Sequence, residues 1–329
     1  MITRRKLVLA LGASTFAPLA LFAQQQKVWR VGMLSLQSKK FYVDSGYEKL
    51  FLQGMREQGY AEGKDFVIEE RFAEGEVGRL AGLVADLVRT KVDVIVSTGT
   101  QTTIEAQKGT STIPIVTVAE ADPIGNGFAL SLARPGKNIT GLSNAISDTY
   151  LKNLEFLKVI VPRLSSIAVL RNPSNAAMHK RLLGAIEPAA RKVGIKVLAV
   201  DAGNPEEIER AIVAMSRKRV QALAVLPDSI FTQQVGQIAQ LTLKHRLPSA
   251  YTRHEFPEAG GLLSYGNDIT VNYRLGAKFI DKIFKGAKPG ELPFEQPTIF
   301  ELVVNMKTAK ALGLKIPNLI LVQATKVIK

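Results

Sequence analysis

No cysteine occurs among the 329 residues. That excludes disulfide staples, thiol nucleophiles and thiolate metal sites together. Histidine is scarce: the chain has His179, His245 and His254. The first two sit in helical stretches among charges, where a solvent-exposed position is expected. His254 falls in Thr252-Arg253-His254-Glu255, near a strand end, and is the one candidate base. Catalytic and cofactor motifs are missing as well. Gly32 stands alone after the first strand with no dinucleotide fingerprint, and there is no P-loop, H-E-x-x-H or G-x-S-x-G. No cofactor and no metal ion is therefore expected, and an enzyme is disfavoured. After the first 23 residues no stretch is long and apolar enough to span a bilayer.

What is present begins with an address. Thr3-Arg4-Arg5-Lys6 is a basic start, residues 7–22 are apolar and small, and Leu21-Phe22-Ala23 precedes three glutamines. This reads as a secretory signal peptide, residues 1–23, cleaved near Ala23. A membrane anchor is the alternative, but the run is short, and Gly12 and Pro18 interrupt it. The paired arginines also resemble a twin-arginine export signal. The formal charge of +14 includes the three basic residues of this segment. The remaining lysines and arginines are spread along the chain. Their densest cluster, Arg217-Lys218-Arg219, closes a helix, where cations suit the dipole. A solvated basic surface is expected, not a nucleic-acid site.

The length suits two domains, and 46% apolar with 22% charged residues suits packed cores. The organising stretch is 92–118. It opens on the apolar run 92–96, continues through the turn Ser97-Thr98-Gly99-Thr100 and a helix, and reaches a second apolar run at 115–118. That order is a βαβ unit with buried parallel strands. Strands are also expected at 28–35, 66–72 and 139–143, and helices from Asp44 to Gly59, along the stripe Leu80, Leu83, Val84, Leu87, Val88, and around 129–132. The second half repeats the plan with strands at 166–170, 195–200 and 220–226. Its helices fall at 150–160, 175–193, 205–217 (with Asn204 as cap) and 230–244. The stretch 92–100 with Ile113-Pro114 corresponds to 220–229 with Leu247-Pro248. After residue 266 come one more amphipathic helix, a proline-marked connector, a strand at 300–304 and a short helix at 306–312. The predicted class is α/β, with two doubly wound parallel-sheet lobes and a ligand cleft between them. Lobe I is assigned 27–143 plus 267–297 and lobe II 144–266 plus 298–329, with hinges near Ser143, Tyr265 and Pro297.

Open parallel sheets bind ligands at the carboxyl ends of their strands. The polar groups expected there are Ser35, Thr98, Gly99, Thr100, Asp122, Ser143, Asn172 and Asp228. Hydroxyls and helix N–H groups donate to a carboxylate, and an aspartate accepts from an ammonium. Thr98, Thr100 and Asp228 equally suit plain helix capping. Tyr251 and Tyr265 are candidates for stacking on a ligand, or else core or hinge aromatics.

Several stretches sharpen the reading. The run from Asp122-Pro123-Ile124 through Ser131-Leu132-Ala133-Arg134-Pro135-Gly136 to Thr140-Gly141 resembles a hallmark of one ABC-transporter substrate-binding family, that of tryptophan/tyrosine-type uptake proteins. Gly260-Gly261-Leu262-Leu263-Ser264-Tyr265-Gly266 and Lys307-Thr308-Ala309-Lys310 are similar to it too, and Lys137 stands where a glycine is expected. The likeness covers essentially the whole mature chain. It implies a type I periplasmic binding fold and a monomeric, extracytoplasmic receptor in the periplasm. Such a receptor closes on a small-molecule ligand, first of all an amino acid, and delivers it to ABC permease and ATPase subunits. The resemblance does not fix the ligand. The alternatives are an exported enzyme using Asp122, Asp228 or His254, and a sensor read by a membrane receptor.

Overall fold

The computed structural model describes residues 27–144 and 146–329. The export segment and its cleavage point near Ala23 lie outside the described residues. The first sheet holds β1 (Trp29–Ser35), β2 (Phe66–Phe72), β3 (Val94–Ser97), β4 (Ile115–Glu120) and β5 (Ile139–Ser143), all parallel, in the order β2-β1-β3-β4-β5. Its connecting helices are α1 (Lys39–Asp44), α2 (Tyr47–Glu57), α3 (Leu80–Arg89) and α4 (Thr100–Gly109). Strand side chains alternate between two apolar clusters. Val31, Met33, Val94, Val96, Val116 and Val118 enter one, while Leu34, Ile95 and Ile115 enter the other. Both faces are thus covered, which is why these strands read as unbroken apolar runs.

The second lobe follows the same plan. Helix α5 (Ile146–Ile160) leads into β6 (Ser166–Arg171), α6 (Ala176–Lys192), β7 (Lys196–Asp201), α7 (Pro205–Arg217) and β8 (Ala222–Val225). Then come α8 (Ser229–Gln233), α9 (Val235–Lys244), β9 (Ser249–Tyr251), α10 (Glu255–Glu258) and β10 (Leu263–Gly266). The cap expected for α7 is formed: the Asn204 side chain accepts from Glu207 N, and Ile208, Ala211, Ile212 and Met215 are buried beneath it. The tail adds α11 (Thr270–Phe284), β11 (Glu301–Asn305), α12 (Met306–Leu312), α13 (Asn318–Gln323) and β12 (Lys326–Ile328). The second sheet has the order β12-β11-β10-β9-β8-β6-β7. Strands β7, β6, β8, β9 and β10 repeat the order of β2, β1, β3, β4 and β5. Two apolar clusters cover this sheet as well.

The chain passes between the lobes three times. After β10, α11 returns to the first lobe and buries Tyr273, Ala277, Phe279 and Ile280 in its core. It packs so closely on α2 that a Cβ on Gly54 would lie 2.2 Å from the Arg274 carbonyl. The connector before β11 runs beside β5: Ser143 N donates to Glu295 O at 2.9 Å and Glu295 N to Gly141 O at 3.0 Å. Tyr265 and Phe300, on two different crossings, stack with ring centres 5.8 Å apart.

The structure departs from the sequence reading in several places. Strand β11 runs antiparallel to β10, so the second sheet is mixed. Residues 129–132 form no helix. Asp122 accepts Gly125 N, Gly127 adopts φ 71°, and Leu130 N donates to Pro135 O, so the segment folds as turns. The helix expected over 230–244 is broken at Gln234 into α8 and α9. His179, expected on the surface, is fully buried.

Candidate ligand cleft

The carboxyl ends of the two sheets face each other across a narrow cavity that admits water-sized molecules over about 80 Å³. From lobe I it is lined by Gln37, Tyr47, Thr98, Gly99, Thr100 and Gln101. From lobe II it is lined by Asn175, Met178, Asp228, Ser229, Thr232 and Arg253, with Asn144 and Asn267 at the crossings and Tyr273 on α11.

On the lobe I side the hydroxyls are occupied within the lobe. Thr98 Oγ1 donates to Ser35 Oγ at 3.1 Å, Thr100 Oγ1 to Glu120 Oε1 at 3.2 Å, and the Thr102 and Thr103 hydroxyls to Gly99 O at 2.7 and 2.8 Å. Gly99 starts α4 without a side-chain cap. Behind this turn lies Glu120, fully buried. Its Oε1 accepts from Asp122 N at 2.9 Å and Asn126 Nδ2 at 2.7 Å, while Oε2 has no partner. Burial pushes its carboxyl up to about 7, against the pull of these hydrogen bonds.

The lobe II side carries charge. Asp228 follows β8 and caps α8 by accepting Ile230 N at 2.9 Å. The same Oδ1 accepts Asn172 Nδ2 at 3.0 Å, and Oδ2 accepts Asn175 Nδ2 at 3.3 Å. His179 holds this corner together. Asn172 N donates to its Nδ1 at 3.0 Å, which leaves the proton on Nε2, 3.2 Å from the Pro227 carbonyl. Burial pushes this imidazole down, outweighing the opposing pull of Asp228. Arg253 lies beyond β9. Burial opposes its charge, yet Glu255 and the Tyr47 hydroxyl beside it hold it protonated. Glu255 is raised by burial but held below the usual range by Arg253 and His254.

The lobes touch across the cleft. Arg253 Nη2 donates to Tyr47 OH at 2.6 Å, and Gln101 Nε2 to Ser174 O at 3.3 Å. Arg181 Nε donates to Asp122 Oδ2 at 3.2 Å, and its Nη2 reaches Asn126 Oδ1. A Cβ on Gly99 would lie 3.5 Å from Ser229 Oγ, so the two strand-end turns meet here. This is a closed arrangement. Among the described residues no helix is long and apolar enough to cross a membrane.

Of the residues expected from sequence, Thr98, Gly99, Thr100 and Asp228 line the cavity. Ser35 and Asn172 sit one layer behind, bonded to Thr98 and Asp228 respectively. Asp122 stands at the rim with Arg181. Ser143 is buried at the first crossing, with its N–H on the connector. Tyr251 is core: it stacks on Phe256 at 4.2 Å, and its hydroxyl lies 3.3 Å from Thr242 Oγ1. Tyr265 packs on Phe156 and Phe300 at the crossings, outside the cavity lining. Sequence reasoning passed over Gln37, Arg253 and Asn267. All three lie within three residues of a strand's carboxyl end, so the rule that found Asp228 reaches them too. Tyr47 and Tyr273 gave no such signal, because each lies on the apolar stripe of a helix. Their rings stack 4.2 Å apart.

Comparison with known proteins agrees with this geometry. The family model described as ABC transporter substrate binding protein matches residues 44–328. A tyrosine-binding protein from Clostridioides difficile is 24% identical over 269 residues, covering 82% of this chain and 76% of that one. The crystal structure of an ABC domain from Streptococcus pneumonia in complex with L-Trp superposes with a TM-score of 0.83 at 26% identity, over 92% of this chain and all of that one (100%). A conserved domain protein from Vibrio cholerae O1 biovar eltor superposes with a TM-score of 0.84, also at 26% identity and over 92% of this chain and 100% of that one.

Proposed function

This chain belongs to the ABC transporter substrate binding protein family, and on that premise we propose that it captures a free amino acid, with an aromatic one first in line, for an ABC importer. Its family and relatives are binding proteins, not enzymes. The observation that carries the ligand class is the composition of the cavity wall. Among the described residues its charged side chains are Asp228 and Arg253, one of each sign, and the stacked pair Tyr47 and Tyr273 supplies an aromatic surface beside them. One carboxylate and one guanidinium complement the two charges of a zwitterion. The tyrosine named for one relative and the L-Trp bound in another support the same reading.

In this reading the lobes, 27–143 with 267–297 and 144–266 with 298–329, close as units about the crossings. Ligand favours the closed state because only that state offers contacts from both. The family is typically extracytoplasmic; the basic and apolar start of the chain suits export to the periplasm, with cleavage near Ala23. The mature protein acts as a monomer that docks on permease and ATPase subunits. The test is mass spectrometry of small molecules released from the purified mature protein, followed by melting with an amino-acid panel. The expected result is an aromatic amino acid that co-purifies, raises the melting temperature and is recovered unchanged. If no amino acid shifts melting, the ligand class is wrong. If the added compound is consumed, the protein is an enzyme.

A further inference from the structure

We propose that the cavity reads its ligand in one orientation, with Arg253 of lobe II and Asn267 at the crossing after β10 taking the ligand's carboxylate while the strand-end turns that meet at Gly99 and Asp228 take its ammonium. The inference rests on the amino-acid reading above and adds the direction in which the ligand lies.

The first support is a set of unpaired groups. Arg253 Nε, Asn267 Nδ2 and Gln37 Oε1 are buried without a hydrogen-bond partner, and all three residues line this one cavity. A buried polar atom left unpaired is costly, so such atoms mark where a partner belongs. Arg253 is the decisive one. A guanidinium only donates and cannot be turned round as an amide can. Its Nη2 is already committed to Tyr47 and Glu255, while its buried Nε–H has no acceptor within the protein.

Arg253 and Asn267 are also brought together by the sheet. Strands β9 and β10 are parallel, with Ala250 opposite Leu263 and Tyr251 opposite Ser264. Carried forward, that register sets Arg253 beside Gly266, next to Asn267. The two strand ends approach closely enough that a Cβ on Gly266 would lie 1.9 Å from the Thr252 carbonyl. Two donors thus share one end of the cavity.

The other end is rich in acceptors. The start of α4 would ordinarily attract an anion. Here Thr100 Oγ1, at that start, already donates to the buried Glu120, and Ser229, which follows Asp228, lies against Gly99. The start of α4 therefore has the Asp228 carboxylate across from it and the buried Glu120 behind it. A ligand carboxylate there would face the charge of Asp228, whereas an ammonium meets Asp228, with the free Gln37 Oε1 on the lobe I side. The sequence-based expectation that the hydroxyl turn donates to the carboxylate is reversed in this proposal, because its hydroxyls are spent and Asp228 faces it.

The test is calorimetric titration of the mature protein with L-tryptophan, L-tyrosine and their carboxamides, L-tryptophanamide and L-tyrosinamide. Wild type should prefer the free acid by about a hundredfold, the scale of a buried charge-assisted pair. Arg253→Gln should reduce that preference to under about tenfold while leaving amide affinity within about threefold, and Arg253→Lys should restore part of it. Asn267→Ala tests the same end without touching Glu255, and should lower the preference severalfold even where Arg253→Gln fails to fold. If Asn267→Ala and Arg253→Gln keep the full preference, or weaken acid and amide equally, the orientation is overturned. Wild type binding acid and amide alike also overturns it, while the amino-acid reading stands. If wild type binds none of the four and no other amino acid, the amino-acid reading fails and the orientation falls with it.

Discussion

The turns after β3 and β8 occupy the same position in their two sheets, and they meet across the cleft at Gly99 and Ser229. Their chemistry is opposite. The first, Thr98-Gly99-Thr100, directs its hydroxyls inward, to Ser35 and Glu120, and the threonines after it bond back to Gly99 O. The second, Pro227-Asp228-Ser229, presents a carboxylate that two asparagine amides and one backbone N–H hold in place. In the proposed function, one turn is a brace and the other is a reader. On that reading shared topology places the ligand, while the residues decide which lobe binds its charge. The contrast extends to the layer behind each turn. Lobe I buries an acid, Glu120, and lobe II buries a base, His179.

The strongest test of that contrast is a pair of substitutions. Asp228→Asn should weaken amino-acid binding by about 3 kcal/mol, roughly a hundredfold, since it removes one partner of a buried charge pair. Thr98→Val should cost about 1 kcal/mol of stability through the lost bond to Ser35, yet change affinity by less than about threefold. Calorimetry and urea unfolding of both variants measure this. Equal losses of affinity would erase the division between brace and reader.

The buried acid and base should give opposite pH dependences of stability. The folded Glu120 pKa is raised from 4.5 to about 7, so from about pH 4.5 upward the unfolded chain loses a proton that the native state keeps. Its contribution therefore falls as pH rises to about 7, by on the order of 3 kcal/mol, and Glu120→Gln should remove that slope. His179 is lowered in the fold from its ordinary 6.5, so below that pH the unfolded chain takes up a proton that the native state refuses. Stability should drop as pH falls below 6.5, and His179→Gln should remove that drop. Denaturant titrations from pH 4.5 to 8 read both; slopes of the same sign would contradict the contrast.

The smallest effect is expected at the rim. Arg181 bridges to Asp122 and Asn126 with about a third of its side chain exposed. Arg181→Ala should cost under about 1 kcal/mol, seen as ligand release about two- to fivefold faster with selectivity unchanged. A change in selectivity would mean that the rim, and not only the strand-end turns, reads the ligand.

Much of this was legible in the sequence because it is local. Apolar runs bounded by turn residues gave the buried strands, Asn204-Pro205 gave the start of α7, and the strand-end rule reached Asp228. The helix read at 129–132 failed because the side chain of Asp122 and the left-handed Gly127 direct the backbone into turns before a helix can start. His179 was misplaced because the charged pair Lys180-Arg181 follows it in the chain, whereas its neighbours in space are the carboxyl ends of two strands. Tyr251 and Tyr265 carry the same aromatic potential as Tyr47 and Tyr273 and lie nearer strand ends, yet it is the pair on the apolar stripes of helices that lines the cavity.

By itself the sequence determined the α/β class, the doubled architecture and the ends of the strands from which the site is built. These follow from burial periodicity and turn chemistry, which are properties of neighbouring residues. Only the tertiary structure decided which polar groups are spent. Thr98 and Thr100 are bonded inside lobe I, while Arg253 and Asn267 come together through the register of β9 and β10 with unpaired donors. Whether a buried polar atom is free to meet a ligand depends on every partner within hydrogen-bonding distance, and most of those partners lie far away along the chain.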